Sequence, residues 1–104
     1  MTVDTKFKIA QDSKYLEEDW WRWWIYLDAD DAALDEVEQV IYILHPTFSP
    51  PFVTVKSREN AFKFTTEGWG VFTIYATVHL KNGEVLKLEH ELELYYPGGE
   101  QNFE

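Results

Sequence analysis

The run "VFTIYATVHL", Val71 to Leu80, followed after a short gap by "VLKLEHELEL", Val85 to Leu94, restricts the fold more than any other part of the sequence. Both halves alternate with a period of two, so side chains point to opposite faces of a strand and only one set can be buried. Phe72, Ile74, Ala76, Val78 and Leu80 form one face of the first half. Leu86, Leu88, His90, Leu92 and Leu94 form one face of the second. A two-residue Asn82-Gly83 turn would set Leu86 opposite His79 and mix the faces. A three-residue loop, Lys81-Asn82-Gly83, pairs Val78 with Leu86 and Ala76 with Leu88, and gives Gly83 the left-handed position. Face matching therefore selects the longer loop. It also sets His90 opposite Ile74 on the apolar face, where a histidine is expected to be a hydrogen-bonded core residue, not a ligand.

The rest of the chain repeats this periodicity. In "WWRWWIYLD", Trp20 to Asp28, the set Trp21, Trp23, Ile25 and Leu27 reads as a core face. The other set, Trp20, Arg22, Trp24 and Tyr26, is aromatic enough to be a semi-exposed surface, with Trp20, Trp24 and Tyr26 a candidate partner surface. "VEQVIYILH", Val37 to His45, is apolar on both alternations and is expected to lie centrally, covered on both faces or nearly so. Shorter strands are expected at Lys6 to Gln11, Phe52 to Lys56 and Ala61 to Thr66, the last two separated by the turn "SREN". "ADDAALDE", Ala29 to Glu36, is poor in β-formers and reads as a solvated loop with at most one helical turn. Asp28, Asp30 and Asp31 lack the glycine and distal glutamate of a calcium loop. On the last strand, Lys87, Glu89, Glu91 and Glu93 make an acidic outer row that discourages edge pairing. From Pro97 to Glu104 the chain is turn-rich and reads as a flexible tail.

About seven strands with frequent turns and no long helix give an all-β fold, an immunoglobulin-like two-sheet antiparallel β-sandwich, in a single domain of 104 residues. Aromatic residues make up 17% of the chain and provide ample core material. No cysteine is present, which removes disulfides and thiolate metal sites. The absence of a membrane-length apolar run points to a soluble, cytoplasmic protein. With 19 acidic and 9 basic residues and a net charge of −10, the chain would repel nucleic acid and anionic lipid and attract a basic peptide. No nucleophile elbow, phosphate loop or metal-spaced histidine pair is present, so an enzyme is not expected, and neither a metal nor a cofactor is implied.

Two segments are left over after core building. In "LHPTFSPP", Leu44 to Pro51, a strand ends in His45, Thr47 and Phe48, and two prolines force a turn. In "EGWGVF", Glu67 to Phe72, Gly68 and Gly70 flank Trp69. Large rings in such loops are mounted for contact outside the domain or plug the end of the core.

The succession "VEQVIYILHPTF", then "EGWGVF" and a hairpin with "NG", resembles a YEATS domain of the prokaryotic branch, from about Trp20 to Leu94. The resemblance implies an immunoglobulin-like sandwich whose end loops hold acylated lysine in eukaryotic members. Carried over, Phe48 and Trp69 would be aromatic walls, Thr47 would offer its hydroxyl to the acyl amide, and His45 would orient that hydroxyl. The backbone at Trp69 and Gly70 would donate to the acyl oxygen. Eukaryotic readers have a further aromatic before the first tryptophan-bearing strand. Here that place holds Glu17 or Glu18, with Tyr15 the alternative. The implied function is noncatalytic recognition of acylated lysine, or a similar flat amide, on a basic protein segment. The alternative is an assembly module of a signalling complex without an acyl pocket.

Overall fold

The computed structural model describes residues 7–48 and 50–102. Seven strands build the sandwich: β1 (Lys8–Tyr15), β2 (Trp21–Asp28), β3 (Val37–Ile43), β4 (Phe52–Val55), β5 (Phe64–Gly68), β6 (Thr73–Leu80) and β7 (Val85–Glu91). One sheet has the order β1-β2-β5 and the other β4-β3-β6-β7, with all pairs antiparallel. The connections from β2 to β3, β4 to β5 and β5 to β6 cross between sheets, as in immunoglobulin-like sandwiches.

Alternation decides what is buried. From β2, Trp21, Trp23, Ile25 and Leu27 are all 1% exposed or less, and they meet Val40 and Tyr42 of β3 and Ile74, Ala76 and Val78 of β6. The β6–β7 hairpin has the face-matched register, with Val78 opposite Leu86 and Ile74 opposite His90. Leu80 donates to the Glu84 carbonyl at 2.8 Å across the three-residue loop, and Gly83 has φ of +96°.

Hydrogen bonds from the Tyr42 and Gln11 side chains tie distant parts of the chain together. Tyr42 donates through its hydroxyl to the Phe62 carbonyl at 2.9 Å, and burial pushes the Tyr42 phenol well above its ordinary pKa. Gln11 of β1 clasps the far end of the chain. Its Oε1 accepts from the Glu93 N–H at 2.8 Å and lies 2.7 Å from His90 Nε2, while its Nε2 donates to the Glu93 carbonyl. Because that oxygen only accepts, the His90 nitrogen facing it carries the proton. Desolvation lowers the His90 pKa, against the pull of Glu93 and Glu91.

The structure differs from the sequence reading in several places. β3 is interior to its sheet but covered on one face only, for Ile43 is 42% exposed and Ile41 half-buried. The apolar outer alternation faces outward because no third layer covers it among the described residues. β1 runs on to Tyr15, and Lys6 lies outside the described residues. β5 starts at Phe64, not Ala61, because Asn60, Ala61 and Phe62 all have positive φ in and after a short 3-10 turn at Glu59–Ala61. Such geometry costs roughly 1–2 kcal/mol per residue, and the burial of Phe62, 1% exposed, offsets it.

The acidic loop contains one helical turn, α1 (Asp31–Leu34), capped by Asp30. Asp31 and Asp35 take the Arg58 guanidinium at 3.1 and 3.0 Å. β7 ends at Glu91, and Leu94 belongs to a separate strand. There β8 (Leu94–Tyr95) pairs with β9 (Gln101–Asn102) around the turn after Pro97, so this part of the expected tail is a small hairpin. Phe103 and Glu104 lie outside the described residues.

Candidate functional site

The two leftover segments meet at one end of the sandwich. The β3–β4 connection is closed at its base, where Leu44 donates to the Pro51 carbonyl at 2.7 Å, and it folds tightly at its tip, where Phe48 donates to the His45 carbonyl at 2.9 Å. Pro46 is at the second position of that turn, which suits its fixed φ. Opposite lies the β5–β6 crossover, Trp69 to Phe72. Between them is a groove of about 490 Å³, within the usual range for a small-ligand site.

All five sequence-derived residues, His45, Thr47, Phe48, Trp69 and Gly70, line this groove. The Thr47 backbone N–H donates to His45 Nδ1 at 3.2 Å, so that nitrogen acts as an acceptor. The Thr47 hydroxyl, 3.0 Å from the same atom, therefore also donates to it and keeps its oxygen lone pairs available. Trp69 is 55% exposed, whereas Phe48 is half-buried, with its ring 5.6 Å from Phe72 and 6.3 Å from Trp23. His45 meets Phe72 edge-on at 5.8 Å. One wall is thus more than half exposed, and the other is braced by the core.

Several lining residues escape a reading based on motifs. Trp23 and Phe72 follow the core alternation, yet both reach the groove. Trp20 also lines it, fixed by its indole N–H donating to Glu67 Oε1 at 3.1 Å. Arg22 takes the other oxygen of Glu67 at 3.0 Å. Trp20 and Arg22 together hold the Glu67 carboxyl below the usual carboxylate range. A usable signal existed in β5: Phe64, Thr66 and Gly68 share the inner alternation, and it ends in a residue with no side chain.

The Trp20, Trp24 and Tyr26 surface is divided between two settings. Trp20 belongs to the groove rim, Lys63 Nζ sits 5.1 Å above the Trp24 ring, and Trp24 and Tyr26 are both half-buried. Nor does Tyr15 join the groove. Its ring packs edge-on against Trp21 at 5.1 Å and lies 5.5 Å from Tyr96, and its hydroxyl accepts from the Asp19 N–H at 3.1 Å. Glu17 and Glu18 are exposed. Among the described residues no group of three or more His, Asp or Glu side chains is arranged to hold a metal, and no helix is long and apolar enough to cross a membrane.

Solved structures with this fold include the Yaf9 YEATS domain recognising an H3K122suc peptide, at 23% identity and TM-score 0.65, with 85% of this chain and 70% of that one covered. The yeast AF-9 homolog protein Yaf9 matches at 21% identity and TM-score 0.68, over 86% of this chain and 66% of that one. The Yaf9 YEATS domain bound to H3K27ac matches at 20% and 0.67, over 92% and 75%. These likenesses are of fold. No curated protein matches the chain by sequence. A family model described as the prokaryotic YEATS domain does match, over residues 21–93, and the chain belongs to that family.

Proposed function

We propose that the groove is a noncatalytic recognition site for an acylated lysine, or a similar flat amide, on a basic protein segment. The observation that carries this reading is the Thr47 hydroxyl, held by His45 Nδ1 at 3.0 Å in a groove walled by Phe48 and Trp69. Acylation removes the lysine charge and leaves a planar amide. Aromatic faces stack on such a group, the Thr47 oxygen accepts its N–H, and the backbone at Trp69 and Gly70 donates to its oxygen. The net charge of −10 favours cationic residues flanking the modified lysine. Family membership and the histone peptides named for the Yaf9 domains agree with a peptide partner.

Calorimetry with acetyl-lysine, crotonyl-lysine and unmodified peptides of one sequence tests the reading. The acylated peptides bind, the unmodified one does not, and Trp69→Ala and Thr47→Ala each abolish or strongly weaken binding. Equal binding of all peptides by the intact domain and by Trp69→Ala would refute it.

A second reading, an assembly module, is favoured by one observation. On the outer face of the β4–β3–β6 sheet, Phe52, Ile43 and Tyr75 are cross-strand neighbours and are 54%, 42% and 48% exposed. Self-association through this row would appear as a concentration-dependent mass in light scattering, lost in Ile43→Lys.

A further inference from the structure

Trp23 is fully buried, yet its indole N–H meets no acceptor among the described residues and is sealed from solvent. Buried donors of this kind are rare in native proteins, because leaving water without a replacement partner is costly. The strand itself does not prevent pairing. Trp21, two residues earlier and on the same face, donates through its indole N–H to the Tyr95 carbonyl at 2.8 Å.

The local geometry shows where the missing acceptor belongs. A β carbon at Gly68 would stand 3.7 Å from Trp23 Nε1, and Trp23 and Gly68 both line the groove. The donor therefore lies under the one inner position of β5 that has no side chain. Above the Trp23 ring stand Phe48 and Phe72, edge-on at 6.3 and 5.9 Å. Both rings line the same groove as Trp23 and Gly68, which places the unpaired donor beside the space a bound group would fill.

We infer that the Trp23 indole N–H is a hydrogen-bond donor for the far end of the bound group. The groove thereby selects acyl chains carrying an oxygen beyond the amide, such as 3-hydroxybutyryl, over hydrocarbon chains of the same length. This inference rests on the acyl-lysine reading and adds the class of acyl group. In that reading Thr47 and the Trp69–Gly70 backbone already serve the amide, so the floor donor requires a second oxygen. A butyryl chain leaves the N–H as unpaired as it is in the free domain, so discrimination arises from the hydrogen bond that only the oxygen-bearing chain makes. The Glu67 carboxylate on the rim and the net charge of −10 favour a neutral hydroxyl over a carboxylate.

The test compares 3-hydroxybutyryl-lysine and butyryl-lysine peptides of identical sequence by calorimetry, on the intact chain and on Trp23→Phe. Proton–nitrogen spectra of the tryptophan indoles are followed in parallel. The intact chain binds the hydroxylated peptide roughly tenfold more tightly, and in Trp23→Phe the ratio of affinities falls to near one. The Trp23 indole proton moves downfield with the hydroxylated peptide and not with butyryl. Equal affinities in the intact chain, a preference that survives in Trp23→Phe, or the same indole shift with both peptides would overturn the inference and leave the acyl-lysine reading standing. If neither peptide binds, both fall. The spectra need no variant, so they decide the matter even if Trp23→Phe does not fold.

Discussion

Trp21 and Trp23 are two residues apart on β2, on the same face, and neither has any exposed surface. Around Trp21 every demand is met: Tyr15 and Tyr96 pack on its ring at 5.1 and 4.9 Å, and its N–H reaches the Tyr95 carbonyl. Around Trp23 the packing is also complete, with Phe48 and Phe72 against the ring, but the N–H is orphaned and those neighbours are groove walls. Burial alone thus cannot separate a core tryptophan from one that belongs to a site. The hydrogen-bond account does separate them: Trp21 settles its N–H inside the fold, whereas the N–H of Trp23 is left over, which is the basis of the recognition role inferred for it.

The largest effect that checks this contrast is on the settled side. Trp21→Ala removes a fully buried ring and is expected to cost about 3–5 kcal/mol, a large share of the total stability of such a domain, measured as a lowered urea midpoint. The pair Trp21→Phe and Trp23→Phe isolates the nitrogen. Both lose similar ring volume, but only Trp21→Phe strands a carbonyl, so it should be the more destabilising by about 1–3 kcal/mol. Equal costs in urea titrations would break the contrast.

Gly68→Ala probes the reserved side. Its β carbon makes an ordinary 3.7 Å contact with Trp23 Nε1, so the domain folds with a stability change of only about 0.4–1 kcal/mol, while acyl-lysine binding weakens as the groove floor fills. Unchanged affinity would place the ligand elsewhere. The smallest effect is one of pH and belongs to the settled side, where His90, Gln11, Glu93 and Tyr95 link to Trp21. Since the folded state lowers the His90 pKa, the unfolded chain takes up its proton first on acidification. The contribution is complete above the ordinary histidine value near 6.5 and is lost as pH falls toward the lower folded value. Denaturation at pH 7.5 and 5 should show the drop in the intact chain and a smaller one in His90→Gln.

Features governed by local periodicity were legible in the sequence. The β6–β7 register followed from matching faces, and the core face of β2 from alternation alone. The groove's motif residues were legible because His45, Thr47, Phe48 and Trp69 had no role in building strands. What remained hidden depends on contacts between residues far apart in sequence. Gln11 satisfies His90 from 79 positions away, and nothing in either neighbourhood announces the pairing. Left-handed geometry at Asn60, Ala61 and Phe62 is a tertiary choice that overrides the β pattern of "AFKFTT". Trp23 and Phe72 looked like core because they are core, and their second role becomes visible only once the inner position of Gly68 is seen to be vacant of side chain.

The clasp of Gln11 on Glu93 bears on how the molecule comes into being. Its two halves are separated by 82 positions, so on a ribosome β1 and β2 emerge long before the residues that secure them. The β1–β2 and β6–β7 hairpins each close from neighbouring segments, but the clasp between them waits until Glu93 is made. Until Glu93 leaves the exit tunnel, an apolar strand surface bearing Ile9 and a face of tryptophans is left without its final cover. During synthesis this domain depends most on protection of its first-made strands.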